Sequence, residues 1–165
     1  MNYKIGEYVI YNGLEVCKIG ENVIREFDGE KLEYMTLYPT DINTTIYIPA
    51  EKCGSLLRPM LSREELLRII DMIPDISEQG RDSNIDFAEA VKSGDHKSIL
   101  AVMSSIYARG QKRAKDGKTL FKTDRRNFDI AKKIIHNEIA YSFGIKPSDA
   151  EKFISDRIEE KKMKK

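Results

Sequence analysis

The 165 residues, 41% apolar and 33% charged, suffice for one compact domain or two small ones, and no apolar run approaches the ~20 residues of a membrane span. The N-terminal MNYKIGEYVIYNG has neither an apolar signal core nor a small-residue cleavage site, which points to the cytoplasm. A formal net charge of +1 conceals a split: up to Leu57 five basic residues face nine acidic ones, a balance of −4, so the remainder carries +5, and halves of opposite sign suggest two different partners.

The first third reads as strands. Ile5 to Tyr11 and Leu14 to Ile19 flank Asn12-Gly13, a pair that closes tight hairpins, and Asp28-Gly29 offers a second such turn. β-branched and aromatic residues dominate Leu32 to Tyr38 and Thr44 to Ile48. In the latter, Ile46 and Ile48 face one side while Thr45 and Tyr47 face the other, the period of a half-buried strand. Pro49 cannot donate to a ladder and ends the run. Four or five short strands with tight turns predict a small barrel or curled sheet over residues 1–60.

After Pro59 the period changes to that of helices. Ser62 and Glu65 form a capping box ahead of the apolar stripe Leu66, Leu67, Ile69, Ile70 and Ile73, which Pro74 is expected to stop. Residues 74–84 read as a polar linker. A short helix from Ile85 to Lys92 ends at Gly94, free to take the left-handed C-cap. Asp95 caps a helix carrying Ile99, Leu100, Met103, Ile106 and Tyr107. Thr123 is expected to cap a long one with Phe128, Ile130, Ala131, Ile134, Ile135, Ile139 and Phe143 inward. Ser148 and Glu151 suggest a second capping box for a terminal helix to about Lys161, followed by a frayed, solvated tail. The chain is thus predicted to be α+β in two modules, a strand-built one over 1–60 and an all-α one of about five helices over 61–165.

Catalytic and metal chemistry find little support. Cys17 and Cys53 sit in apolar or strand-like stretches and read as small buried hydrophobes in a reducing compartment. With His96 and His136 they make a Cys2His2 set, but four ligands scattered singly match no zinc spacing. His96, in the first turn of its helix, is expected at the surface, and His136 packed or partly exposed. There is no phosphate-cradling glycine loop and no nucleophile elbow, and the carboxylates occupy caps, turns and helix faces.

The pattern that does carry chemistry is cationic. Arg109, Lys112, Arg113, Lys115, Lys118, Lys122, Arg125, Arg126, Lys132 and Lys133 meet only Asp116, Asp124 and Asp129 in their window. Arg109 and Arg113 lie one turn apart. Lys122, Arg125 and Arg126 surround a helix start, where unpaired amides also favour an anion. Such a cluster suits phosphates. A solvated face with a lysine-rich loop is the bland reading; it would prevail for a lone charge run, and ten cations around one helical hairpin bring the phosphate-binding reading level with it.

GEYVIY, YMTLYP, TIYIPAE and LLRPMLSREELLRII, in that order, resemble the N-terminal half of CarD and CdnL transcription factors. KSGDHKSILAVMSSIYARGQKR and TDRRNFDIAKKIIHNEIAYSFGI resemble their helical half, so the likeness spans nearly the whole chain. It implies a Tudor-like RNA polymerase-interacting domain, shared with transcription-repair coupling factors. Such a domain docks on the polymerase β subunit partly by strand pairing. The matching strand here is Thr44, Thr45, Ile46, Tyr47 and Ile48, with Tyr47 outward where some members carry arginine. Main-chain hydrogen bonds would then give affinity, and alternate side chains specificity.

In the family, the resemblance further implies, the helical half binds promoter duplex at the upstream edge of the bubble and wedges a tryptophan into the minor groove. This chain has no tryptophan. Gly80 stands at the matching position and cannot unstack a base step, which leaves Arg81 as the residue for a narrow minor groove. Arg81, Arg109, Lys112, Arg113, Lys115, Lys118, Lys122, Arg125 and Arg126 are therefore the expected DNA contacts. The implied protein is a non-enzymatic regulator of open-complex formation, without cofactor, small-molecule substrate or membrane partner. The rival is a polymerase adaptor with little or no DNA contact.

Overall fold

Asn12 and Gly13 have φ of 51° and 71°, and Asp28 and Gly29 have φ of 51° and 80°. Left-handed geometry at both central residues is what a tight hairpin needs to follow the twist of its strands. These turns join β1 (Tyr8–Tyr11), β2 (Glu15–Phe27) and β3 (Glu30–Pro39), to which β4 (Ile46–Pro49) and β5 (Leu57–Pro59) are added. The computed structural model describes residues 3–79 and 86–164, in two compact units, residues 1–60 and 61–165.

In the first unit all pairs are antiparallel and the strand order is β4-β3-β2-β1-β5. The sheet is open, so the barrel alternative is not formed: β4 and β5 each have one paired neighbour. Pro49 and Pro59, which lack an N–H, sit on these two edge strands and weaken either as a template for closure. Neither β5 nor the second half of β2 follows from the expected strands. Residues 20–26 of β2 are mostly exposed and show no clear alternation of apolar and polar residues. β2 continues through a register shift between Ile19 and Asn22. There a Cβ on Gly20 would lie 2.5 Å from Tyr38 Cε2, so the glycine makes room for the tyrosine ring. One face of the sheet buries Val9, Cys17, Ile19, Leu37 and Ile48, closed by Cys53 and Leu57 from a 3₁₀ turn (Ala50–Lys52), α1 (Cys53–Leu56) and β5. Both cysteines are free thiols. Burial, then the charges of Glu15 and Asp41, push Cys17 up to about 12.

The second unit holds α2 (Arg63–Gln79), α3 (Phe87–Ser93), α4 (His96–Lys115), α5 (Lys122–Phe143) and α6 (Ala150–Met163). The first capping box forms: Ser62 N–H donates to Glu65 Oε2 at 2.9 Å, and Glu65 N–H to Ser62 Oγ at 3.2 Å. α2 does not stop at Pro74 but runs through it to Gln79. Leu66 and Ile70 are fully buried, and Asp71 accepts from both Arg157 and Lys161 of α6 at 3.0–3.1 Å. Packing of this kind overrides the penalty of one proline. Asp86 caps α3, Gly94 ends it at φ 66°, and Asp95 caps α4 through Lys97 and Ser98 N–H.

Two expected caps are not made. α5 begins at Lys122 with Phe121 as its N-cap residue, because contacts from α4 to Thr119, Phe121 and Asp124 hold the chain before Thr123 can act. Ahead of α6 a 3₁₀ turn (Pro147–Asp149) runs straight into the helix, and Glu151, the intended partner of Ser148, pairs with Lys132 Nζ at 3.0 Å. α6 reaches Met163, so most of the expected tail is helical. Ile99, Ile106, Ala131, Ile134, Ile135 and Ile139 join Leu66 and Ile70 in the core. Tyr107, expected on the same stripe, is 59% exposed.

Candidate nucleic-acid and partner-binding surfaces

α4 and α5 pack together as a helical hairpin, and the tight turn at its tip is built from the end of α4. Gly117, at φ 68°, and Lys118 return their N–H groups to Ala114 and Arg113 carbonyls at 3.0 and 2.9 Å. Arg109 holds Asp124 with two charge-assisted bonds of 2.9 and 3.1 Å, the fork geometry that gives arginine–carboxylate pairs their strength. Arg113 Nε donates to Thr119 O at 2.7 Å, and its guanidinium lies 3.8 Å from the centre of the Phe121 ring. These two arginines therefore close the hairpin from within.

The remaining expected cations behave differently. Lys112, Lys115, Lys118, Lys122, Arg125 and Arg126 are all exposed. At ~1.5 Å rise per residue, the last turn of α4 and the first of α5 place them at one end of the hairpin. Of the acidic residues in this window, Asp124 is held by Arg109, and Asp116 and Asp129 are exposed. Lys132 lies farther along α5 and pairs with Glu151. Gly80 and Arg81 lie outside the described residues.

In the first unit, β4 is an edge strand whose only strand partner among the described residues is β3, with Leu37 opposite Ile46, Thr36 opposite Tyr47 and Met35 opposite Ile48. It is shorter at its start than expected: Thr44 and Thr45 precede it, and Thr44 N–H turns back to Ile42 O at 3.0 Å. Ile48 is buried, so its side chain serves the core. Tyr47 faces out, 42% exposed, with the Arg25 guanidinium 4.3 Å from its ring centre. An edge strand presents unpaired main-chain donors and acceptors; here a cation-capped aromatic side chain marks that edge.

A polar centre absent from the sequence expectations lies inside the second unit. His96 is not at the surface but 3% exposed, its Nε2 2.8 Å from Oε2 of the fully buried Glu138. The other carboxylate oxygen accepts the Leu61 N–H at 2.8 Å. One buried carboxylate thus joins α4, α5 and the residue that opens the unit. Glu138 falls four residues after Ile134 and seven after Ala131, on the apolar stripe of α5, and a carboxylate at such a position demands buried partners. That signal was available in the sequence.

His136 is half-buried; burial, then the charge of Lys132, lowers its affinity for a proton. It borders an open groove of about 520 Å³ lined largely by Ile73, Leu100, Met103, Phe128, Ile135 and Ile154. Lys132 and Glu151 at its rim are paired with each other. Among the described residues, no three His, Cys, Asp or Glu side chains come together as a metal site. No helix there is long and apolar enough to cross a membrane.

Residues 3–61 match the family model of the CarD-like/TRCF RID domain, a span that coincides with the strand-built unit. No curated protein matches the chain.

Proposed function

From the match of residues 3–61 to the CarD-like/TRCF RID domain, we propose that this chain is a CarD-like protein that regulates transcription initiation without catalysing a reaction. The first unit docks on the polymerase β subunit through the edge of β4 and Tyr47. The second touches the backbone of promoter DNA through the α4–α5 tip. The observation that carries the DNA half is the sorting of charge: Arg109 and Arg113 are consumed by the fold, while six cations at the same end of the hairpin stay exposed. Such a set suits phosphates and carries little sequence information. Anchoring on polymerase raises the local concentration of the helical unit near DNA, so the cations need only weak intrinsic affinity.

Footprinting of promoter complexes tests this. Reversal of Lys112, Lys118, Arg125 and Arg126 to glutamate should abolish upstream protection while polymerase is still retained by the full-length protein. Unchanged protection favours the adaptor reading, which the absence of tryptophan also supports. Tyr47→Ala should weaken capture of polymerase, and equal capture would remove β4 from the interface.

A further inference from the structure

Phe121 occupies a position that neither helix capping nor core packing explains. It is the N-cap residue of α5, yet its side chain makes no capping hydrogen bond, where Ser, Thr, Asp or Asn would satisfy an amide. Its neighbour Leu120 packs against the helical core, whereas Phe121 turns outward and is 57% exposed. One face of its ring is backed by the Arg113 guanidinium at 3.8 Å, and that guanidinium is itself fixed by its bond to Thr119 O at 2.7 Å. The ring is thus held rather than loose. Lys118 and Lys122 flank it along the chain, both exposed.

A positioned aromatic ring within an exposed cationic tip is the combination that binds unpaired nucleic acid: cations take the phosphates and the ring takes a base. We propose that Phe121 is a stacking platform for an unpaired base of single-stranded DNA, with the cations of the α4–α5 tip holding the adjoining phosphates. The Arg113 guanidinium behind the ring adds a cation–π contribution to the stack. This rests on the reading of the tip as a phosphate-binding surface and gives that surface a preference for single strands.

The chain contains no tryptophan, so Phe121→Trp introduces a single fluorophore at the proposed platform. The probes are an oligothymidylate of about 20 nucleotides and a duplex of equal length, titrated against the full-length protein at low salt. Phe121→Ala and Phe121→Leu should each weaken oligothymidylate binding roughly 5- to 150-fold and leave duplex binding near the parent value. Phe121→Trp should retain affinity, its emission quenched on binding. The leucine variant keeps an apolar side chain beside Arg113, so a loss shared by both variants does not come from an unpacked loop. Charge reversal at Lys118, Lys122 and Arg125 should weaken both probes. If reversal does so while all three Phe121 variants bind oligothymidylate like the parent and the tryptophan is not quenched, stacking is overturned and the phosphate surface stands. If reversal has no effect but the Phe121 variants behave as stated, the platform stands and the phosphate reading falls. Failure of the parent protein to bind oligothymidylate overturns the inference.

Discussion

Removing the Glu138 carboxylate should be among the most damaging single changes available to the helical unit. In Glu138→Ala, His96 Nε2 and the Leu61 N–H both lose a partner at 2.8 Å, at a site where Glu138 is 0% and His96 3% exposed. Leaving each group unsatisfied costs about 1–3 kcal/mol. The deleted side chain also leaves a cavity at a fully buried position. The total expected is about 3–5 kcal/mol, the range for breaking a buried pair by deleting one member, against the ~5–15 kcal/mol that holds a typical domain folded. Glu138→Gln keeps the volume and one acceptor for Leu61, and the histidine tautomer can adjust to the amide, so about 1–2 kcal/mol is expected. Urea unfolding of the full-length protein, followed by helical circular dichroism, measures both. A double-mutant cycle with His96→Ala should return a coupling of about 1–3 kcal/mol. An alanine variant within ~0.5 kcal/mol of the parent, or zero coupling, would refute the assignment of this centre as structural.

Arg109→Ala should lower helical stability by about 1–2 kcal/mol, since Arg109 holds Asp124 with a fork of two bonds and Asp124 is only 17% exposed; the salt dependence of duplex binding should stay as in the parent. Lys122→Ala should do the reverse, leaving stability nearly unchanged and reducing the slope of log affinity against log salt by about 1. Gly29→Ala isolates a backbone effect: φ is +80° and a Cβ would meet nothing within 4 Å. A cost of about 1 kcal/mol in urea unfolding is therefore expected, from conformation alone. Asp71 has a folded pKa below its ordinary 3.8, first through its bond to Arg157 and also through Lys161, against opposing desolvation. A depressed carboxylate pKa contributes stability that is complete above 3.8 and is lost as pH falls through the folded value below it. Asp71→Asn should therefore destabilise the protein at neutral pH and flatten the acid limb of its unfolding profile, and a parallel acid limb would contradict this.

Features confined to a few adjacent residues were legible. The Asn12-Gly13 and Asp28-Gly29 turns, the Ser62–Glu65 capping box and the Asp95 cap all follow from chemistry within four residues of chain. Where reading failed, the deciding partner was distant. Thr123 is not a cap because Arg109 and Arg113 take hold of the chain around it, and Glu151 leaves Ser148 for Lys132, nineteen residues away. Pro74 lies inside a helix whose neighbouring turn is tied to α6, eighty-six residues on. β5 is three residues long and exists only through β1.

Composition and period determined that strands precede helices, that the two parts carry opposite charge, and that a cationic hairpin lies among the helices. Each is a property of neighbouring side chains or of simple sums over them. Which cations remain available, which histidine is buried, and where an aromatic ring is turned outward were decided only by tertiary structure. The reason is physical: burial and ion pairing are set by groups brought close in space, and Arg109 and Lys112 differ not in their local sequence but in what lies opposite them.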